Sequence, residues 1–467
     1  MTVCETGTSD GTLLTLIRES KIDTDEPILE FERNIGKIHS NLKIGANVAA
    51  ATKLKSNNGM SANGMLLSGA DFIISKNDFH RLRVEERADL ISRVRPYFKG
   101  KALYDGWSGD YVIDLFGLPE EQVRTDFPEV FQHLLQTVKP ARAGNIKKYR
   151  EEKWWLFGEN NPQYRSALAG LTRYTATIET AKHRIFQFVD GSFLHDHMVI
   201  GVASPDALLL TVLSSRIHCV WALETGGTLE DRPRYTKTVT FDPFPFPTPS
   251  ETQKKKLRSL GEELDGTRKR VRAEHPDLTL TGLYNVLEKL KAGAPLTPAD
   301  EDVKTRGLVL VLKDLHEKID IATAEAYGWP ANLSDEQILE RLVALNAERA
   351  REEAAGYVRW LRPDYQIPRF AKEAAAPQSG DLDLAEATEK AETAKPAFPT
   401  DRYEQPLAIE AVLAAAGRPM DAEELSRAFK RGGKRIEPRI EHVLTTLTRY
   451  GRVIALENKR YAARRAA

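Results

Sequence analysis

The polar–apolar pattern of this chain changes period from segment to segment. Residues 1–60 keep no sustained repeat and read as a lead-in or docking segment. Alternation begins at Gly64–Ser75 (GMLLSGADFIIS), which predicts a strand pair or a strand bulged at Gly69. Residues 78–94 follow a helical rhythm that Arg95-Pro96 must end, because a proline disfavours helical backbone in the residue before it. Tyr111–Phe116 (YVIDLF) predicts a short buried strand. Leu118-Pro119-Glu120-Glu121 then opens a helix, with proline early and acids in the first turn, that runs to Lys139-Pro140. Three further strands are expected at Arg173–Ile178, Arg184–Val189 and Met198–Ala203. Ser204-Pro205-Asp206 starts another helix, whose apolar positions Leu209, Val212, Leu213 and Val220 share one face. Alternating prolines and phenylalanines in Phe241–Pro247 exclude regular structure and predict an extended segment lying on the body.

From Glu251 the texture turns helical. Leu257, Leu260, Leu264 and Val271 keep a three-to-four spacing, a short seam that serves as core packing, as a spacer or as a face for a partner. Helices are expected at 280–292, 300–327 and 334–355, the last opened by a Ser334…Gln337 capping box. Residues 371–400 are rich in Ala, acid and Pro and read as a flexible linker. The tail, 401–467, predicts helices at 405–416, 421–429 and 436–450, a basic turn with Lys430, Arg431, Lys434 and Arg435, and a hairpin at 452–462. That order is winged-helix-like, a module that binds DNA or protein. The fold class is therefore α+β. A mixed α/β body at 61–250 is followed by a helical region at 251–370, the linker and the winged-helix-like tail.

Composition narrows the function classes. The 467 residues carry 67 Lys+Arg against 67 Asp+Glu, which argues against a DNA binder that works by overall charge alone. No apolar run reaches the roughly 18 residues a bilayer requires, and the first thirty residues lack a secretory signal, so no membrane partner and a cytoplasmic location are expected. Cys4 and Cys219 alone exclude a disulfide framework or a cysteine-based zinc site.

Local charge is uneven. Between Lys139 and Arg184 there are ten Lys/Arg against four Glu, threaded with Tyr149, Trp154, Trp155, Phe157, Tyr164 and Tyr174. Cations mixed with flat rings suit a polyanion that carries bases. The same pattern also describes a solvated charged face beside core tryptophans. Adjacent Trp154 and Trp155 cannot face one way on a strand or a helix, so one is expected in the core and one exposed.

A series of segments, RPYFKGK, YVIDLFG, VKPAR, KWWLFG, RYTAT, KHRIFQF, SSRIHCVWA, RYTKTVTFDPFPFP, LYNVLEKLK, AYGWP and LNAERAREEAAGYVRWLRPDYQIP, occurs here in order. The series resembles the target-recognition and C-terminal region of MmeI-like, type IIL adenine-specific DNA methyltransferases, over roughly residues 35–370. In that family the catalytic domain precedes these signatures and carries a Gly-rich loop for S-adenosylmethionine and an NPPY-type motif for the flipped adenine. Neither motif is in this sequence. The nearest segment is Asn161-Pro162-Gln163-Tyr164, with Gln in place of the second proline.

The resemblance thus implies a specificity part of an adenine N6 methyltransferase in restriction–modification or phage defence. It implies duplex DNA and a methyltransferase catalytic subunit as partners. No cofactor is expected on this chain, and S-adenosylmethionine would sit on the partner. Lys139, Arg142, Lys147, Lys148, Arg150, Lys182 and Arg184 are the residues expected to position phosphates, with His183 as a further donor. Asn160, Asn161, Gln163, Arg165 and Arg173 are expected to read base edges.

Two other chemistries compete. Asp114 with Glu151-x-Lys153 matches the carboxylate-and-lysine pattern of metal-dependent nucleases. His195-Asp196-His197 has the alternate spacing that could aim two imidazoles at a metal. A third reading is a winged-helix regulator or assembly protein whose central region binds only protein.

Overall fold

The computed structural model describes residues 10–20, 28–39, 44–229, 232–375, 398–399, 404–416, 418–429, 436–449, 452–456 and 460–463. It divides into two units, 1–377 and 378–467.

The first unit opens with an antiparallel hairpin, β1 (Gly11–Ser20) and β2 (Ile28–Gly36), with a bulge at Ile17. The lead-in expectation missed this element because the bulge breaks the period-two pattern along β1. Eight short strands follow: β3 (Ser61–Asn63), β4 (Ile73–Ile74), β5 (Val94–Phe98), β6 (Tyr111–Ile113), β7 (Arg173–Ile178), β8 (Gln187–Asp190), β9 (Leu194–His195) and β10 (Val199–Val202). They form two four-stranded sheets. One has the order β3-β10-β7-β8 and is antiparallel throughout. The other has the order β4-β6-β5-β9, with β5 and β9 parallel.

The sheets meet at His195 and Gly201. His195 on β9 is buried, and its Nε2 lies 3.1 Å from the Tyr164 hydroxyl. A Cβ at Gly201 on β10 would fall 1.5 Å from that same oxygen, so the strand tolerates only glycine there.

The helical region is fastened to the sheets rather than tethered beside them. Arg173 on β7 is ion-paired with Glu262, and Arg258 holds Asp206 through two bonds of 2.8 and 2.7 Å. Buried Arg268 donates to the Phe186 carbonyl at 2.7 Å and to the Tyr284 hydroxyl, which lies 2.6 Å from His316 Nε2. The Arg173–Glu262, Arg258–Asp206 and Arg268–Phe186 connections cross position 250, and one hydrophobic core runs from Val48 to Tyr365.

The segment expected to be extended over Phe241–Pro247 begins as the end of a π-helical turn at Lys237–Phe241, turns at Asp242-Pro243, and lacks regular structure from Phe244 on. Asn57 Nδ2 lies within 3.1 Å of the carbonyls of Phe241, Asp242 and Phe244. Asn346 grips the Pro243 carbonyl and both backbone groups of Thr52.

Several expected helices are broken by local backbone. Residues 76–91 form three short turns separated at Arg83, which is left-handed, and at Arg87, which is extended. The helix expected through 140 is two, Glu120–Asp126 and Pro128–Arg142, because Phe127 precedes a proline and leaves helical angles. The helix after Asp206 bends by 64° at Ser215, whose side chain caps the second piece. That pair is buried in the core, and among the described residues no single helix is long and apolar enough to cross a membrane. Leu308, at φ +49°, separates Pro298–Arg306 from Val309–Tyr327. The Asp335–Ala354 helix carries the Ser334–Gln337 capping box.

The second unit contains helices Gln405–Ala416, Ala422–Ala428 and Glu437–Arg449 and a hairpin of Val453–Leu456 with Arg460–Ala463. Its core includes Ile409, Leu413, Leu425, Ile440 and Leu444. Lys430, Arg431, Lys434 and Arg435 lie outside the described residues, as does most of the expected linker; the helix before it, Pro363–Ala375, runs through 371–375.

Candidate nucleic-acid interface

The basic stretch separates by residue type into arginines that are structural and lysines that are not. A planar, weakly hydrated guanidinium tolerates burial when its donors are met, whereas an ammonium on a flexible stem stays in water.

Arg142 is 2 % exposed and donates to the carbonyls of Leu67, Leu156, Trp154 and Ser68 while lying over the Phe72 ring. Burial pulls its guanidinium down to about 10. Arg165 holds Asp114 through two bonds of 2.5 and 3.0 Å and donates from Nε to the Asn160 carbonyl at 2.7 Å. Arg184 donates to the Ile178, Pro233 and Glu179 carbonyls over the Tyr235 ring, and burial lowers its pKa. Arg173 is committed to Glu262, whose carboxylate raises its pKa.

His183 is buried between Glu288 and Asn285, and Lys182 reaches the same Asn285 at 2.7 Å. Asn160 is buried, with Nδ2 on the Phe157 carbonyl. Of the residues expected to face DNA, Arg142, Arg165, Arg184, His183 and Asn160 thus spend donors inside the protein, and Arg173 spends its own on a part-exposed ion pair. Arg150 is mostly shielded, with Glu159 at 3.8 Å.

Apart from exposed Lys182, what remains in solvent is compact in sequence. Lys139, Lys147, Lys148 and Lys153 are exposed, and so are Ile146 and Tyr149, on the segment that ends one helix and forms the next, Lys148–Glu152. Lys139 and Lys153 lie over the Trp154 and Trp155 rings at 5.0 and 5.1 Å. Both tryptophans are buried at 3 %, against the expectation of one in and one out. They sit in an irregular turn after Glu152, where neither strand nor helix periodicity applies. Phe157, Tyr164 and Tyr174 are core as well, which leaves Tyr149, at 48 %, as the exposed ring of the stretch.

The Asn161-Pro162-Gln163-Tyr164 segment is not arranged for adenine chemistry. Asn161 is left-handed at φ +44°, with Nδ2 donating to the Asn63 and Gly64 carbonyls at 2.9 and 2.8 Å. Tyr164 is buried against His195, and burial pushes its hydroxyl well above its ordinary value. Gln163 is exposed.

Both competing chemistries lose their geometry. Asp114 is buried and bound to Arg165, while Glu151 accepts from the Gly144 amide on the surface, so the two do not share a metal. Buried His195, lowered to about 4 by desolvation, points to Tyr164, whereas His197 is half exposed beside Asp196. Among the described residues no group of three or more His, Cys, Asp or Glu could hold a metal ion.

Comparison with known proteins agrees with this architecture. Residues 48–248 match the family model of the MmeI target recognition domain. The solved structure of the type IIL restriction–modification enzyme MmeI in complex with DNA superposes with a TM-score of 0.52 at 19% identity. The match covers 72% of this chain and 42% of that one, so this chain spans less than half the length of MmeI. No curated protein matches. Residues 48–248 of this chain are thus similar to the target recognition domain of MmeI.

Proposed function

We propose that this chain is the duplex-DNA recognition part of a restriction–modification enzyme, acting with a catalytic adenine N6 methyltransferase polypeptide that holds S-adenosylmethionine. The observation that carries the reading is the family match at 48–248 coinciding with the solvent-exposed lysine group at 139–153. Lys139, Lys147, Lys148 and Lys153 would meet phosphates, which set register without reading sequence. Gln163 is the base-edge candidate left exposed. Extruding a base from the stack takes a few kcal/mol, and a module that grips the flanking duplex supplies it through contacts.

The β1–β2 hairpin supports a docked catalytic polypeptide. One of its faces gathers Leu14, Leu16, Leu29, Phe31 and Ile35, each 42–64 % exposed, together with Thr12 and Arg33, while Thr15, Glu30, Glu32 and Asn34 share the other with Leu13 and Ile28. A two-stranded hairpin is marginal in water by itself, and an apolar face of this kind marks an interaction surface. The test is reconstitution: the chain is mixed with a candidate methyltransferase polypeptide and methylated adenines are mapped. Methylation at one sequence context only when both are present supports the reading. Methylation by the partner alone with unchanged specificity would end it.

A further inference from the structure

The segment with the NPPY-like order borders a cavity of about 550 Å³, and of the DNA contacts proposed above only Gln163 lines it. Its walls come from the 58–66 strand region, from the 159–164 segment, from His197 and Lys237, and from Phe370 near the end of the Pro363–Ala375 helix. The size falls in the range of roughly 300–1,000 Å³ typical of small-molecule sites.

The lining is rich in amides. Asn161 is held in a left-handed conformation by two bonds from Nδ2, which leaves its Oδ1 without a partner among the described residues. Among the described residues, neither the Asn58 nor the Gln163 side chain, both in the wall, has a hydrogen-bond partner. Ser61, also in the wall and 2 % exposed, keeps an unpartnered Oγ. Phe370 closes one side, packed so tightly on Gly59 that a Cβ there would fall 2.7 Å from its ring. Holding Asn161 at φ +44° in a sparsely populated region, beside a cavity, is the kind of strain that accompanies a binding site.

We infer that this cavity receives one unstacked nucleobase of the bound DNA. This inference rests on the duplex-DNA reading above. Carboxamides are both donors and acceptors and match the edges of bases, with Asn and Gln pairing best to adenine. A ring wall offers a stacking surface. The shape decides between this and ordinary groove reading: groove readers project side chains outward, whereas a concavity accepts a group that projects from the nucleic acid. The site performs no bond chemistry. It traps a base that has left the helix.

The full chain is titrated into a perfect duplex of mixed sequence and into the same duplex with one bulged 2-aminopurine. A bulged base has already lost its stacking, so the inference expects it to bind about tenfold tighter or more, with a change in 2-aminopurine fluorescence. Asn58→Ala combined with Gln163→Ala should bring the two duplexes to equal affinity. Circular dichroism confirms that the variant is folded. Equal binding by the unaltered chain, or a preference that survives the double substitution, overturns the inference while leaving duplex recognition standing. Failure to bind either duplex removes the recognition reading and this inference with it.

Discussion

Arg165 holds Asp114 with both terminal nitrogens at 2.5 and 3.0 Å, and the two side chains are only 14 and 7 % exposed. One pair therefore removes two readings at once. Arg165 is not available to a guanine edge, and Asp114 is not available to a metal.

Truncating one partner leaves the other charged and buried. Arg165→Ala should lower stability by about 3–5 kcal/mol, whereas Arg165→Met with Asp114→Leu should recover most of that loss. Urea denaturation of the three proteins checks it. An Arg165→Ala protein as stable as the parent would mean that the pair is a surface contact.

The exposed lysines should behave in the opposite way. Replacing Lys147, Lys148 and Lys153 with Gln should change stability by no more than about 0.5 kcal/mol. The same change should flatten the salt dependence of duplex binding, the slope of log K against log salt falling by about 0.9 for each lost phosphate contact. Binding isotherms from 50 to about 200 mM salt measure it. An unchanged slope would take all three off the DNA.

Buried imidazoles make a signed pH prediction. Desolvation holds His195 at about 4 and His218 at about 3, and pushes His316 well below its ordinary value. The unfolded chain takes up these protons as pH falls through about 6.5, while the folded chain does not. Stability from these groups is therefore complete above about pH 6.5 and declines below it, each histidine contributing a slope of about 1.4 kcal/mol per pH unit. Urea midpoints between pH 7.5 and 5 test the sign; a protein that gained stability on acidification across that window would contradict it.

Gly201→Ala should disrupt the junction of the two sheets, because the new methyl would meet the Tyr164 hydroxyl at 1.5 Å. Overpacking of this kind costs about 1–3 kcal/mol. Adding Tyr164→Phe removes the nearest atom and should restore part of the loss. Thermal melts of the single and double variants would show it, and strict additivity would mean that the two sites do not touch.

Much of the backbone order was legible from local rules. The strands expected at Arg173–Ile178 and Met198–Ala203 contain β7 and β10, the Ser334…Gln337 pair marked the start of a helix, and alternating Pro and Phe marked a segment without regular structure from Phe244 on. The breaks at Phe127, Ser215 and Leu308 were less so, because each depends on one residue leaving helical angles within an otherwise continuous apolar pattern.

By itself the sequence determined many of the element types, the α+β class, the resemblance to MmeI-like recognition regions, and the concentration of positive charge between 139 and 184. Only the tertiary structure decided which of those charges meet water. A guanidinium and an ammonium count the same along a chain, yet Arg142, Arg165 and Arg184 found carbonyls or a carboxylate inside while Lys139, Lys147, Lys148 and Lys153 did not. The partners that satisfy a buried cation lie far along the chain, Leu67 being 75 residues from Arg142, so no local window contains the answer.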